Sequence, residues 1–220
     1  IHDPREVLYA EKIDSEIMNR EYGKIIELYK KLKVKLCFID SNRIKNTDYR
    51  YIFNLMFTRD LFFMTPSGAI LSRMASGVRQ DEVFYAKRAL KENGVRIRKI
   101  IQGNATFEGA DALWVTPRMV AVGVGNRTNE DGFMQIKEEL KRDGVQCACL
   151  PAPKGTLHLL GALQFIDKNL ALVRTYLVSP KIISFLEKAG IKIIEVPENS
   201  EVKEKQALNF VTIAPKKIIM

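Results

Sequence analysis

A unit of about fifty residues repeats along this chain, and the repeat constrains the fold more than any other feature of the sequence. Each copy begins with an apolar run, a polar turn and a second apolar run, which is typical of a β-hairpin. In three copies an amphipathic stretch, a glycine and a β-branched run follow the hairpin. Those glycines are Gly94, Gly144 and Gly190, which lie 50 and 46 residues apart. The pattern predicts an α/β fold of repeated ββαβ units.

The repeat divides the chain into whole and partial units of one predicted domain. Residues 1–40 form the back half of a first unit, with a helix predicted over 14–33 and a strand over 34–39. Mixed sheets with one helix per unit, arranged as a ring, would let each unit bury the apolar face of its neighbour. Full units are predicted at about 53–101, 107–150 and 160–197.

The last unit, residues 207–220, has a hairpin but neither the helix nor the final strand of the other units. Such a hairpin cannot bury its apolar face alone. Ile1 is not a start methionine. We therefore expect the natural chain to be longer at both ends. Residues 197–206, before this hairpin, are predicted to be a solvated connector.

Composition excludes several classes of protein. No stretch approaches the roughly 20 apolar residues that span a membrane. The three cysteines fit a reducing cytoplasm better than a disulfide framework. The net charge is +9, but basic residues are scattered among acidic ones, which favours a solvated surface over a nucleic-acid partner.

No cofactor is indicated by the sequence. There is no Cys/His cluster with metal-ligand spacing and no complete glycine-rich phosphate loop. Cys147 and Cys149 share one face of a predicted strand, and Cys37 occupies the matching strand of the first unit. All three cysteines are predicted to be small buried hydrophobic side chains.

Several polar residues lie where hairpin strands begin or end, or between units, so a ring would bring them to its centre. Each has an ordinary alternative: Asp60 could start a turn, Glu108 could face solvent, and Arg127 could stand among residues that cap a helix. An arginine in a first helical turn is more often exposed. The candidates are Asp60, Arg79, Glu108, Asp111, Arg127 and His158.

Four motifs in order resemble the guanidino-group-modifying enzymes, which include arginine deiminases, amidinotransferases and dimethylarginine dimethylaminohydrolases. The motifs are FTRD from Phe57, FEGAD from Phe107, GNRTNEDG from Gly125 and GTLHLL from Gly155. The resemblance extends from about Phe53 to Met220. It implies the pentein fold, an α/β propeller of five ββαβ units in a pseudo-fivefold arrangement with the active site at its centre, here incomplete at both ends.

Within that superfamily the sequence is most similar to dimethylarginine dimethylaminohydrolases. Deiminases and amidinotransferases typically have an aspartate two residues after the histidine, where this chain has Leu160. Arg59 of FTRD is instead more like the deiminases, because the hydrolases often have an acid there. Arginine and N-methylated arginine therefore both stay open as substrates.

The resemblance also implies roles for the polar residues. Asp60 would bind the planar cationic guanidinium through its carboxylate. His158 would protonate the leaving amine and then activate water. Glu108 would orient the imidazole and stabilise its charge.

Three further roles follow from the same resemblance. Arg127 and Arg79 would hold the α-carboxylate of the substrate. Asp111 would brace the FEGAD turn. The nucleophile would be a cysteine that forms a covalent thiouronium. In the family that cysteine lies beyond the fifth hairpin, so we expect it after Met220 and expect the 220-residue chain to be inactive.

Two classes of function remain at this point. The first is a citrulline-forming hydrolase of a small guanidino substrate, with an amidinotransferase as a variant. The second is a non-catalytic pentein that binds ribosomal particles or nucleic acid. The hydrolase is favoured, because a binding protein has no need of four polar residues of the motifs together: Asp60, Glu108, Arg127 and His158. A homodimer is compatible with either.

Overall fold

The computed structural model describes residues 14–40, 44 and 54–220. Three of the repeat units each form a three-stranded sheet, in which the middle strand pairs antiparallel with the first and parallel with the third. The antiparallel hairpins are β1 (Phe62–Thr65) with β2 (Gly68–Leu71), β4 (Ala112–Thr116) with β5 (Met119–Val124), and β7 (Leu163–Asp167) with β8 (Leu170–Val173).

One helix in each unit connects the hairpin to the parallel strand. The helices are α2 (Glu82–Glu92), α3 (Glu130–Lys141) and α4 (Pro180–Lys188), followed by β3 (Ile97–Ile100), β6 (Gln146–Pro151) and β9 (Lys192–Glu195). The predicted glycines end these helices with φ of 74°, 67° and 73°, the left-handed region that glycine enters without steric cost. The predicted ββαβ order is therefore present in all three units.

The core lies between neighbouring units. One buried cluster joins β5 of the third unit to α4 of the fourth, with Ala121 and Ile182 completely buried. Another joins Ile70 of the second unit to Val120 and Ile136 of the third. The apolar face of each unit is thus covered by the next unit, as the repeat predicts.

The two ends of the described chain differ from the expectation. Helix α1 (Ser15–Lys31) lies within the predicted range and is capped by Asp14, but none of its residues is buried. Residues 34–40 form no strand, so the prediction for 34–39 was wrong. A strand needs a partner, and no hairpin pairs with this segment within the described ranges. The predicted start of the first unit, residues 1–13, lies outside those ranges.

The predicted connector at 197–206 is partly helical. Asn199 caps a short helix, α5 (Ser200–Glu204), and Val202 within it is buried. The last hairpin, β10 (Val211–Ala214) with β11 (Lys217–Ile219), lies beside β7, and the Lys216 N–H donates to the Ile166 carbonyl at 2.7 Å. None of the helices in the described ranges is both long and apolar enough to cross a membrane.

A short 3₁₀ turn precedes each of the three hairpins, and the sequence did not predict these turns. They are Thr58–Asp60, Gly109–Asp111 and Leu159–Gly161. The second turn packs against both of the others. A Cβ on Gly109 would lie 2.2 Å from the Phe62 carbonyl oxygen, so this contact requires glycine. The polar residues next to or within these turns are therefore brought together.

Candidate active site

A cleft of about 1080 Å³ opens where the three turns meet. Side chains from three units line it, together with residues of α1 and the last hairpin. Its charged lining residues are Arg59, Asp60, Arg79, Glu82, Arg127 and His158. The sequence candidates are thus gathered around one cavity, with Glu108 and Asp111 directly behind His158.

The shortest contact of the site joins His158 to Glu108. The imidazole Nε2 lies 2.6 Å from Glu108 Oε2, and the Glu108 side chain is completely buried. The other oxygen, Oε1, accepts the Ala75 N–H at 3.1 Å and lies 3.5 Å from Arg127 Nη1. Glu108 therefore contacts the second unit through Ala75 and, through His158, the turn that precedes the hairpin of the fourth unit.

Opposed effects set the protonation of this pair. Burial of the imidazole acts to lower the pKa of His158, but the hydrogen bond with Glu108 and the negative charges of Asp60, Asp111 and Glu108 outweigh it, so the pKa is raised. Burial acts to raise the pKa of Glu108, but His158 and then Arg127 reverse the effect, so the pKa is lowered. Both shifts favour an imidazolium beside a carboxylate.

Asp111 holds the turn that carries His158. Its Oδ1 accepts the Leu159 N–H at 2.9 Å, and its Oδ2 accepts the Thr128 hydroxyl at 2.7 Å. The Thr128 oxygen in turn accepts the Glu108 N–H at 3.2 Å. Burial raises the pKa of Asp111 to about 6 despite these contacts and the nearby His158. This contact between the third and fourth units fits the bracing role expected of Asp111.

Asp60 belongs to a second buried cluster. Its Oδ2 accepts from Arg79 Nη1 at 2.6 Å, and the same guanidinium donates through Nε to Glu82 at 2.8 Å. Glu82 also accepts the Asn54 N–H at 3.0 Å. Arg79 is therefore buried and paired, not exposed as its place in a first turn suggested.

Glu82 is a buried residue of the site that the sequence reasoning missed. Glu82 is only 1% exposed. Burial raises the pKa of its carboxyl, although the positive charge of Arg79 acts to lower it. The available signal was its position three residues after Arg79, a spacing at which helical side chains meet. Asp60 Oδ1, by contrast, has no hydrogen bond to another residue in the described ranges.

Asp60, Glu108 and His158 each offer one ligand atom, and these atoms lie within 4.8 Å of one another. A divalent cation could be held at this spacing. Both acids already accept from arginines, however, and a bound cation would compete with those contacts. The same triangle fits a planar organic cation, which donates N–H hydrogen bonds from its edge to carboxylates.

The three cysteines lie away from the cleft. Cys37 and Cys149 are exposed and Cys147 is half-buried, so the prediction that all three are buried was wrong for two of them. Both lie on one face of β6, where Cys147 packs against the buried cluster of the third unit and Cys149 is exposed. Burial raises the pKa of the Cys147 thiol to about 12, which disfavours a thiolate.

Residues 49–218 match the arginine deiminase family. The chain belongs to this family. It is 27% identical over 164 residues to YkgA, an uncharacterized protein of Bacillus subtilis, and 32% identical over 123 residues to an arginine deiminase of Mycolicibacterium gilvum. These matches cover 74% and 53% of this chain. The chain spans 54% of the first relative and 31% of the second.

The fold of this family member is also that of known structures. A variant of dimethylarginine dimethylaminohydrolase from Pseudomonas aeruginosa, in complex with citrulline, matches with a TM-score of 0.64 and 23% identity. The match covers 79% of this chain and 63% of that structure. The predicted pentein fold is therefore confirmed. The match of residues 49–218 to the arginine deiminase family confirms the membership of the guanidino-modifying superfamily that the four motifs indicated.

Proposed function

We propose that this protein is part of a guanidino hydrolase that releases citrulline from arginine or from N-methylated arginine. The observation that supports this most is the pairing of His158 with the buried Glu108 beside Asp60 in one cleft. A raised pKa keeps the imidazole protonated and able to serve as a general acid.

Binding would begin with the guanidinium at Asp60. Arg79 occupies Oδ2, so Oδ1 remains to accept a guanidinium N–H. The guanidinium would displace no existing hydrogen bond, because Oδ1 of Asp60 accepts none from the described residues. Holding the guanidinium here would set its central carbon beside His158.

The chemistry would then need a thiolate. The thiolate would bond to the guanidinium carbon, and the C–N bond to the leaving amine would break as His158 gives that nitrogen a proton. His158 would next take a proton from water, whose oxygen adds to the thiouronium carbon. Loss of the thiolate, and of the O–H proton to the released amine or to solvent, would leave citrulline. Glu108 would stabilise the imidazolium in both half-reactions.

None of the three cysteines lines the cleft, so we propose that the nucleophile belongs to a part of the protein outside residues 1–220. The protein's place in a reducing cytoplasm also stays a prediction. The assay described next also distinguishes arginine from methylated arginine as the natural substrate.

The experiment is an assay of citrulline release from arginine and from dimethylarginine. It uses this chain, any longer natural form of the protein, and His158→Ala as the control. We expect turnover only in a form of the protein that contains the nucleophilic cysteine. We expect His158→Ala to abolish that turnover. Turnover by the 220-residue chain that Cys147→Ser or Cys149→Ser abolishes would show that the nucleophile is wrongly assigned. Failure to bind any guanidine would favour a non-catalytic pentein.

A further inference from the structure

In two of the units, the residue directly after the hairpin fastens the turn that leads into it. In the second unit this residue is Ser72, which follows β2. Its N–H donates to the Leu61 carbonyl at 3.0 Å, and its Oγ donates to the Asp60 carbonyl at 2.7 Å. Since Asp60 ends its 3₁₀ turn, this buried hydroxyl ties the end of the turn to the hairpin.

Arg174 occupies the equivalent place in the fourth unit, directly after β8. Its N–H donates to the Ala162 carbonyl at 2.9 Å, and its Nη1 donates to the Gly161 carbonyl at 3.4 Å. Gly161 ends the turn Leu159–Gly161, and His158 lies directly before that turn. At 3.4 Å the side-chain contact is long, so it depends on how firmly the guanidinium is held.

Glu198 holds the guanidinium of Arg174 in place. Nε lies 2.7 Å from Oε1 and Nη2 lies 2.7 Å from Oε2, which makes a bidentate pair. The Arg174 side chain is only 7% exposed. The hydrogen bonds from Arg174 lower the pKa of Glu198, so the acid is ionised at neutral pH. Two parallel charge-assisted hydrogen bonds fix the orientation of the guanidinium, and this orientation directs Nη1 to the turn.

The residues on either side of Glu198 fix its own position. Two residues earlier, the Val196 N–H donates to the Val173 carbonyl at 2.9 Å and extends the pairing of β8 with β9. One residue later, Asn199 accepts the Val202 N–H at 2.9 Å and caps α5. Val202 is buried. Glu198 is therefore placed by strand pairing on one side and by a capped helix on the other.

His158 is thus supported at both ends of the turn that follows it. At the start of the turn, the Leu159 N–H donates to Asp111 at 2.9 Å. At its end, the last carbonyl of the turn accepts from Arg174. The imidazole lies 2.6 Å from the Glu108 carboxylate, and a small shift of the turn would lengthen this contact.

We propose that Arg174 is a positioning residue for His158. Anchored by Glu198, its guanidinium holds the turn that keeps the imidazole against the Glu108 carboxylate. This inference rests on the proposed function, because it takes His158 as the general acid. The guanidinium site at Asp60 lies in the second unit, so Arg174 should affect the chemical step and not substrate binding. A purely structural ion pair would change stability and leave the imidazole as it is.

NMR titration of the His158 imidazole tests the proposal in the wild type, in Arg174→Gln and in Arg174→Lys. Removing a cation raises the pKa of a nearby imidazole by its direct charge effect, so a fall in Arg174→Gln would report a weaker contact with the carboxylate. Arg174→Lys keeps the charge but cannot form the bidentate pair. We expect the pKa of His158 to fall by about half a pH unit or more in both variants. Arg88→Gln is the matched control, because Arg88 forms an exposed pair with Glu92 and does not line the cleft.

A longer natural form of the protein that turns over a guanidine gives a second measurement. Arg174→Gln should lower kcat about tenfold or more, because the general acid is misplaced. KM should change less than about twofold, because the guanidinium still binds in the second unit. Arg174→Lys should not restore kcat, since an ammonium cannot pair with both oxygens of Glu198 and also reach the turn.

The outcomes separate this inference from the proposed function. A lower His158 pKa in the two Arg174 variants, with the control like the wild type, supports the proposal. An unchanged or raised pKa would overturn it, even if kcat is lost, since Arg174 would then act elsewhere. If Arg174→Gln does not fold, Arg174→Lys carries the same test. Absence of turnover in every wild-type form would overturn the proposed function, and the titration would still decide whether Arg174 positions His158.

Discussion

The two charged clusters at the cleft are built in opposite ways. The cluster of Asp60, Arg79 and Glu82 lies within one unit, and its contacts span at most 28 residues of sequence. The cluster around Glu108 joins three units, since Glu108 contacts both Ala75 and His158, and the latter is 50 residues away. In the first cluster Arg79 pairs with both acids, whereas the second cluster places the imidazole of His158 in the cleft. Positioning is therefore local here, and the reactive group depends on correct assembly of the units.

The largest effect should come from opening the local cluster. Arg79→Met leaves Asp60 and Glu82 buried without their cation, and we expect a loss of about 3–5 kcal/mol in the free energy of unfolding. Arg88→Met is the control, because it removes an exposed helical pair with Glu92 that contributes only about 0.3–0.5 kcal/mol. Urea unfolding measures both. Equal losses in the two variants would mean that burial of the Arg79 cluster has been overestimated.

The next effect concerns the pH dependence of the assembled cluster. The pKa of Asp111 is raised from 3.8 to about 6, so the unfolded chain ionises first and stability falls as pH rises between these values. Asp111→Asn removes this titration while an amide can still accept from Leu159. Relative to the variant, the wild type should lose about 2 kcal/mol between pH 4 and pH 6. Parallel stability curves for the two proteins would contradict the assignment.

The smallest effect is expected at a cysteine. Cys149 is exposed and does not line the cleft, so Cys149→Ser should change the free energy of unfolding by no more than about 0.5 kcal/mol. The variant should also bind arginine as tightly as the wild type, as measured by calorimetry. Weaker binding in this variant would place a thiol closer to the site than the structure does.

Much of the fold could be predicted from the sequence, because its signals are local. Hairpin turns, apolar periodicity and glycine stops each depend on a few neighbouring residues, and they correctly indicated three ββαβ units. The prediction of a strand at 34–39 was wrong, because a strand forms only when another strand pairs with it. Helix α1 formed where its pattern predicted, but periodicity shows only which face is apolar and not what covers it.

The site was predictable to a different extent. The motifs identified Asp60, Glu108 and His158, and their convergence depends on the packing of three turns that no propensity reveals. Glu82 was missed because an acid in the first turn of a helix is usually solvated. An arginine in a first helical turn is more often exposed, and the burial of Arg79 follows from its pairing with Asp60, which is 19 residues earlier in the chain.

The most direct test of this account is the pKa of the His158 imidazole, measured by NMR titration in the wild type and in Glu108→Gln. The chain has only two histidines, so a His158→Gln spectrum assigns the signal. We expect a wild-type pKa above the ordinary value of 6.5, and a lower pKa in Glu108→Gln because the paired carboxylate is lost. A wild-type pKa at or below 6.5 that does not move in Glu108→Gln would contradict the account, since His158 would then not be held as an imidazolium by Glu108.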